Sequence, residues 1–204
     1  MGVTHSARQD LTSATLPHPV GAVMVVGGGV AGMQAALDLA DQGFKVYLVE
    51  KKSAIGGHMA MLDKTFPTND CAMCTISPRL VETGRHLNIE ILTDTDVLSV
   101  DGEVGDFNVT LRRRPRYIDT SKCIGCGDCA QVCPVSLPDL FEAGLKQRKA
   151  AYRLYSQAVP AAYAIEKLGT APCRDACPAD QRAQGYIALI AEGRYREADR
   201  KSVV

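Results

Sequence analysis

Cys123, Cys126, Cys129 and Cys133 are spaced C-x2-C-x2-C-x3-C, and Pro134 follows the last. That run, closed by proline, is the spacing of a [4Fe–4S] site. Tight loops set three thiolates around one cube. Gly125 and Gly127 keep the backbone small, so that N–H groups can point at cluster sulfurs. Zinc is the alternative metal, but cysteines this close and followed by proline suit a cube better. The fourth cysteine of such a run ligates the other cluster in two-cluster ferredoxins. A second Cys-Pro occurs at Cys177-Pro178, with Cys173 at the x3 spacing, but Lys167 and Thr170 stand where a full second run needs cysteines. Cys123, Cys126, Cys129 and Cys177 can therefore complete one cube. A second would retain only Cys133 and Cys173 and lacks two ligands. The remaining pair, Cys71 and Cys74, forms a C-x-x-C just before an expected helix over residues 76–86. A helix start lowers a thiol pKa, which suits dithiol exchange or metal ligation. Inert buried thiols are the less favoured reading, and the sequence does not separate redox from ligation.

Gly27-Gly28-Gly29-Val30-Ala31-Gly32 fits G-x-G-x-x-G. Gly27 permits a tight turn, Gly29 lets the backbone approach a pyrophosphate, and Gly32 allows close helix–strand packing. The free N–H groups and partial positive charge of the following helix favour phosphate. Glu50, 23 residues after Gly27, ends the next apolar run and can accept both ribose hydroxyls. Gly56-Gly57 shows that backbone comes close to something there, or turns sharply.

These residues need elements to hold them. Residues 22–26 read as a buried strand, 31–42 as a helix ended by Gly43, and 44–49 as a strand, which makes a β-turn-α-β unit. Residues 51–75 read as loop. Residues 88–100 and 104–111 read as strands turned by Asp101-Gly102; 138–170 as helical or irregular; 180–199 as helical. Arg112 to Arg116 reads as a solvated edge or partner contact. The chain has 204 residues, 46% of them apolar, which excludes general disorder. Its formal net charge is zero and it has no Trp, which argues against a nucleic-acid partner. Residues 1–20 lack an apolar signal core and read as a disordered tail. The glycine-rich run 20–37 is better explained by strand, turn and helix than by a membrane span. With eight cysteines and no signal peptide, a cytoplasmic, reducing location and metal or redox use of the thiols follow.

The acid followed by a double glycine resembles the two-dinucleotide-binding-domain flavoproteins, which implies FAD. Residues 22–165 resemble the A-type iron–sulfur flavoprotein of heterodisulfide reductase and its relatives. The stretches GGGVAGMQAALDLADQGFKVYLVEK, IGGHMAMLDKTFPTNDCAMC, SPRLVETGRH, YIDTSKCIGCGDCAQVCPV and QAVPAAYAIEK carry the likeness. The resemblance implies a FAD domain with an inserted ferredoxin module, passing electrons between FAD and clusters inside a larger complex. Residues 171–199 are similar to the start of the helical iron–sulfur segment of the glutamate synthase small subunit. Nothing after Pro134 resembles the family's return to the flavin fold, so the sequence reads as a fragment.

The fold expected is α/β: a partial Rossmann-like FAD-binding segment (21–114), a ferredoxin-like [4Fe–4S] module (115–137), a linker (138–170) and the start of a helical iron–sulfur segment (171–204). Gly27, Gly29, Gly32, Glu50, Gly56 and Gly57 are the expected FAD residues. Cys123, Cys126, Cys129, Cys133, Cys173 and Cys177 are the expected iron–sulfur ligands. The expected partners are other subunits of a redox complex and an electron donor or acceptor protein, with no nucleic acid and no membrane insertion. The leading function is an FAD- and iron–sulfur-dependent oxidoreductase subunit. The alternatives are a non-catalytic cluster module that retains no flavin, and an NAD-linked dithiol reductase using Cys71 and Cys74.

Overall fold

A computed structural model describes residues 21–167, 169–170, 172–179, 181 and 183–202. The expectation for residues 1–20 lies outside the described residues. The chain divides into two units, one built from residues up to Arg116 together with Leu154–Ala162, the other from Tyr117–Arg153 and Tyr163 onward.

In the first unit, β1 (Ala22–Val26), α1 (Val30–Asp41) and β2 (Lys45–Val49) form a parallel crossover, with Ala22 opposite Lys45 and Val26 opposite Val49. Helix α1 stops because Gly43 takes a left-handed φ of 92°. Its N–H then reaches Ala40 O, while Phe44 N–H reaches Leu39 O. These two bonds satisfy the last carbonyls of the helix. Helix α2 (Ala72–Arg85) leads into β3 (Ile89–Leu92), which adds to β2 in parallel, so the sheet order is β1-β2-β3. Met33, Leu37, Val46, Leu48, Ile55, Ile76, Leu80 and Ile89 close the core between the helices and this sheet. Helix α2 starts a turn earlier than the sequence suggests. The Cys71 sulfur accepts from Cys74 N–H and caps it, and the helix carries Pro78 in its interior.

The run 88–100, expected as one strand, is two. Asp94 adopts a φ of 55° between β3 and β4 (Thr95–Glu103) and breaks the strand. Strand β4 pairs antiparallel with β5 (Asp106–Arg113). Their turn is Val104-Gly105, not Asp101-Gly102, because Glu103 pairs with Asp106 and Gly105 takes a φ of 94°. Gly102 stays within the ladder opposite Phe107, at a φ of 106° that disfavours any side chain.

The second unit contains α3 (Asp128–Gln131), an antiparallel pair of β6 (Ser136–Pro138) and β7 (Gln147–Lys149), and a second pair of β8 (Ala151–Tyr152) and β9 (Ala164–Ile165). Strands of two or three residues are too short to show an alternation, which is why residues 138–170 read as helical or irregular. Helices α4 (Pro172–Asp175), α5 (Ala183–Ala191) and α6 (Tyr195–Ser202) follow. Gly193, at a φ of 74°, turns α5 into α6. The tail is tied within this unit. Arg194 donates to Val132 O at 2.6 Å, and Lys149 lies 3.5 Å from Glu192. Among the described residues no helix is long and apolar enough to cross a membrane.

Leu48 is wholly buried in the middle strand, whereas Leu98 is half exposed on the β4–β5 ribbon. Urea unfolding followed by circular dichroism should show Leu48→Ala losing about 2–5 kcal/mol and Leu98→Ala losing less than about 1 kcal/mol.

Candidate functional site

The first candidate site lies where β1 ends and α1 begins. Gly27 turns the chain at a φ of 100°. A Cβ on Gly32 would run into Gly27 O, so only glycine lets the helix start this close to the turn. Gly29 is the N-cap of α1 and offers no side-chain cap to the first turn. Its own Cβ position is open except for Gly57 Cα at 4.0 Å. Gly28, the middle glycine, is closely walled. A Cβ there would lie 2.5 Å from Ile55 Cγ2 and 3.2 Å from a Glu50 carboxylate oxygen.

Glu50 sits just past the end of β2 and is only 6% exposed. One carboxylate oxygen accepts from Gly28 N–H at 2.8 Å and the other from Lys52 N–H at 2.8 Å. Those two bonds offset the cost of burying the charge. Each oxygen keeps lone-pair capacity for a further donor.

The double glycine is part of the same cradle. Gly56 donates to Gly28 O at 2.7 Å. Gly56 and Gly57 have φ values of 125° and 58°, and a Cβ on Gly57 would lie 2.8 Å from Gly29 Cα. Two glycine backbones therefore face each other across the turn. Tyr155, from the segment 154–162, donates to Ile55 O. Burial, and secondarily the charge of Glu50, push the Tyr155 phenol up to about 12, so it remains a donor at ordinary pH.

Arg116 is a residue that sequence reasoning misplaced. Its side chain is 10% exposed rather than part of a solvated edge. It donates to Ser53 O at 2.8 Å, Ala162 O at 2.6 Å and Asp94 at 3.1 Å. Burial raises the Asp94 carboxyl despite the neighbouring Arg116, Arg114 and Arg113 charges. Arg112, by contrast, is largely exposed and pairs with Asp96 at 3.3 Å. Gly28, Ile55 and Tyr155 also went unread. The middle glycine of the Gly27–Gly29 run, at a position the G-x-G-x-x-G pattern leaves open, was the one available signal.

The second candidate site is the cysteine run of the other unit. Gly125 and Gly127 take φ values of 75° and 93°, and Gly127 caps the short helix α3. A Cβ on Gly127 would lie 3.0 Å from Tyr163 OH. Tyr163 N–H donates to Cys123 Sγ at 3.4 Å, a bond of the kind that tunes cluster potentials. Burial, opposed by Ala130 N–H, pushes the Cys129 thiol up, and the nearby Cys123 and Cys126 act in the same direction. The Cys133 thiol turns to Val135 O at 3.7 Å. Among the described residues no three His, Cys, Asp or Glu side chains converge as they would on a single ion. A cube carries its irons at separate corners, and three thiols around a glycine loop with an N–H already on sulfur fit it. Cys173 is exposed and Cys177 half-buried, both as free thiols.

Cys71 and Cys74 are joined as a disulfide at the start of α2, with both residues exposed. Their exposure removes the reading of inert buried thiols.

Residues 22–73 match the family described as FAD dependent oxidoreductase, and residues 116–136 match the 4Fe-4S binding domain. The chain is 56% identical over 144 residues to an A-type CoB–CoM heterodisulfide reductase iron–sulfur subunit of Methanopyrus kandleri, covering 71% of this chain and 22% of that protein. It is 53% identical over 144 residues to the A-type subunit of the H(2):CoB-CoM heterodisulfide,ferredoxin reductase of Methanothermobacter marburgensis, again 71% of this chain and 22% of that one. It is 41% identical over 184 residues to the A-type subunit of the Ferredoxin/F(420)H(2)-dependent CoB-CoM heterodisulfide reductase of Methanosarcina acetivorans, covering 88% of this chain and 23% of that protein. Over most of its length the chain is like the A-type subunit of heterodisulfide reductase. It spans less than a quarter of the length of these curated relatives. The α/β fold, with a parallel Rossmann-like sheet and a 4Fe-4S segment, agrees with both family matches.

Glu50→Gln places an amide NH2 against one of the two backbone N–H groups the carboxylate now accepts from. Urea unfolding of the cofactor-free protein should show a loss of about 1–3 kcal/mol.

Proposed function

We propose that this chain is the flavin- and cluster-bearing part of an oxidoreductase subunit that passes electrons between FAD and [4Fe–4S] clusters. It would work with other subunits of a redox complex and with a protein electron donor or acceptor, in the cytoplasm. One observation carries the reading: a single short chain holds both a glycine turn closed by a buried acceptor carboxylate and a ferredoxin-type cysteine loop. In this reading Gly27, Gly29 and Gly32 bring the α1 N-terminus to the pyrophosphate. The spare lone pairs of Glu50 accept the ribose hydroxyls, and Gly56 and Gly57 line the opposite wall. Cys123, Cys126 and Cys129 hold one cube, with Cys177 as its fourth ligand; Cys133 and Cys173 belong to a second, incomplete set. Bound flavin supplies two-electron and one-electron chemistry in one site, and the protein's part is to bind, orient and exclude water.

A second reading rests on the exposed Cys71–Cys74 disulfide. Its reduction takes two electrons and two protons, which a flavin or nicotinamide partner would supply. A dithiol reductase of this kind should lose disulfide-reducing activity in Cys71→Ser, and a parent without that activity removes the reading.

The visible spectrum of anaerobically purified protein tests the main proposal. Structured flavin bands over a broad iron–sulfur shoulder, both bleached by dithionite, are expected. Cys126→Ser should lose most of the shoulder and keep the flavin bands, and Cys177→Ser should also lower the shoulder. A shoulder without flavin would leave a cluster module alone, and neither feature would end the proposal.

A further inference from the structure

Leu154–Ala162 lies 38 residues after Arg116 in the sequence, yet it belongs to the first unit. Its bonds there concentrate on one short loop. Ile55 N–H donates to Val159 O at 3.0 Å, and Ile55 O accepts from the Tyr155 hydroxyl. Both polar groups of a fully buried residue are thus satisfied by the same segment. Arg116 fastens the end of that segment to the loop by bridging Ala162 O and Ser53 O. Directly after Ile55 comes Gly56, whose Cβ position is 2.6 Å from the Tyr155 hydroxyl and whose N–H holds Gly28 O. The Ile55 side chain in turn packs where a Gly28 side chain would be. A chain of direct contacts therefore runs from Tyr155 through Ile55 and Gly56 to the glycine turn.

We propose that Tyr155 is a positioning residue of the dinucleotide site: through Ile55 it sets the distance between the Gly56-Gly57 wall and the Gly28-Gly29 turn, and so governs grip on the ADP half of the cofactor. The inference rests on the FAD reading above. Within it, a segment remote in sequence supports the backbone of the phosphate cradle. The hydroxyl is a strong choice for this task. Its proton is retained at ordinary pH, so the bond to Ile55 O does not switch off across the working range.

Tyr155→Phe keeps the ring and removes only the hydroxyl, leaving Ile55 O without its buried donor. FAD binding, followed by flavin fluorescence, and ADP binding, followed by calorimetry, should both weaken by about tenfold. Amide exchange at Ile55, Gly56 and Gly57 should quicken, while the far-UV spectrum is kept and the melting transition of the cofactor-free protein falls by a few degrees but stays cooperative. Equal FAD and ADP affinities in parent and variant would overturn the proposal. A loss confined to FAD, with ADP unchanged, would do so too, since it places the effect at the ring. Collapse of the cofactor-free melting transition would make Tyr155 a residue of the fold rather than of the site. A parent chain that takes up neither nucleotide fails the FAD reading itself, and the inference falls with it.

Discussion

The first unit depends on a buried carboxylate with two backbone donors. Glu50 ends the middle strand of the sheet, and its oxygens hold Gly28 N–H and Lys52 N–H at 2.8 Å each. A buried charge without partners costs several kcal/mol. The glycine turn and the loop after β2 must therefore both close on this residue. Everything that follows is registered to it. Gly28 has no room for a side chain because Glu50 and Ile55 occupy it, and Gly56 reaches back to Gly28 O. A cofactor's ribose hydroxyls would meet a carboxylate already oriented by the backbone, so little ordering is left for the moment of binding.

The cysteine site is organised differently. Its loop keeps left-handed glycines at 125 and 127. Burial pushes the Cys129 thiol up, and the neighbouring Cys123 and Cys126 add to that push. A cationic cluster core reverses that logic by binding thiolates directly. The bond from Tyr163 N–H to Cys123 Sγ belongs to the β9 end of the second unit. The return of the chain after residue 162 thus contacts the start of the cysteine run, and Arg194 contacts its end at Val132 O.

Much of this was legible in the sequence where the interactions are short-range. The turn and helix after β1 and the stop at Gly43 could be read, as could the second strand and its acid, because each is fixed by residues within one or two turns of itself. The cysteine spacing was legible for the same reason. The break at Asp94 was not. A left-handed residue that is not glycine leaves no mark in an apolar pattern. The hairpin turn moved from Asp101-Gly102 to Val104-Gly105 because two glycines competed, and cross-strand pairing rather than local preference decided between them. Arg116 looked like its exposed neighbours in sequence. Only its partners at Ser53, Asp94 and Ala162, 22 to 63 positions away, draw it inside.

The strap formed by residues 154–162 is the extreme case. Tyr155 and Ile55 are 100 residues apart, and no local pattern could join them. Residues 117–153 belong to the other unit, so the strap is the chain's return to the first, and a loop closed over that length gains most from firm anchoring at both ends. Arg116 marks the departure and Tyr155 the arrival, and both bind the loop between β2 and the double glycine. Where the chain leaves the first unit and returns to it, the two crossings must not loosen the glycine turn. Committing the half-buried Arg116 and Tyr155 side chains to the carbonyls of Ser53 and Ile55 meets that constraint.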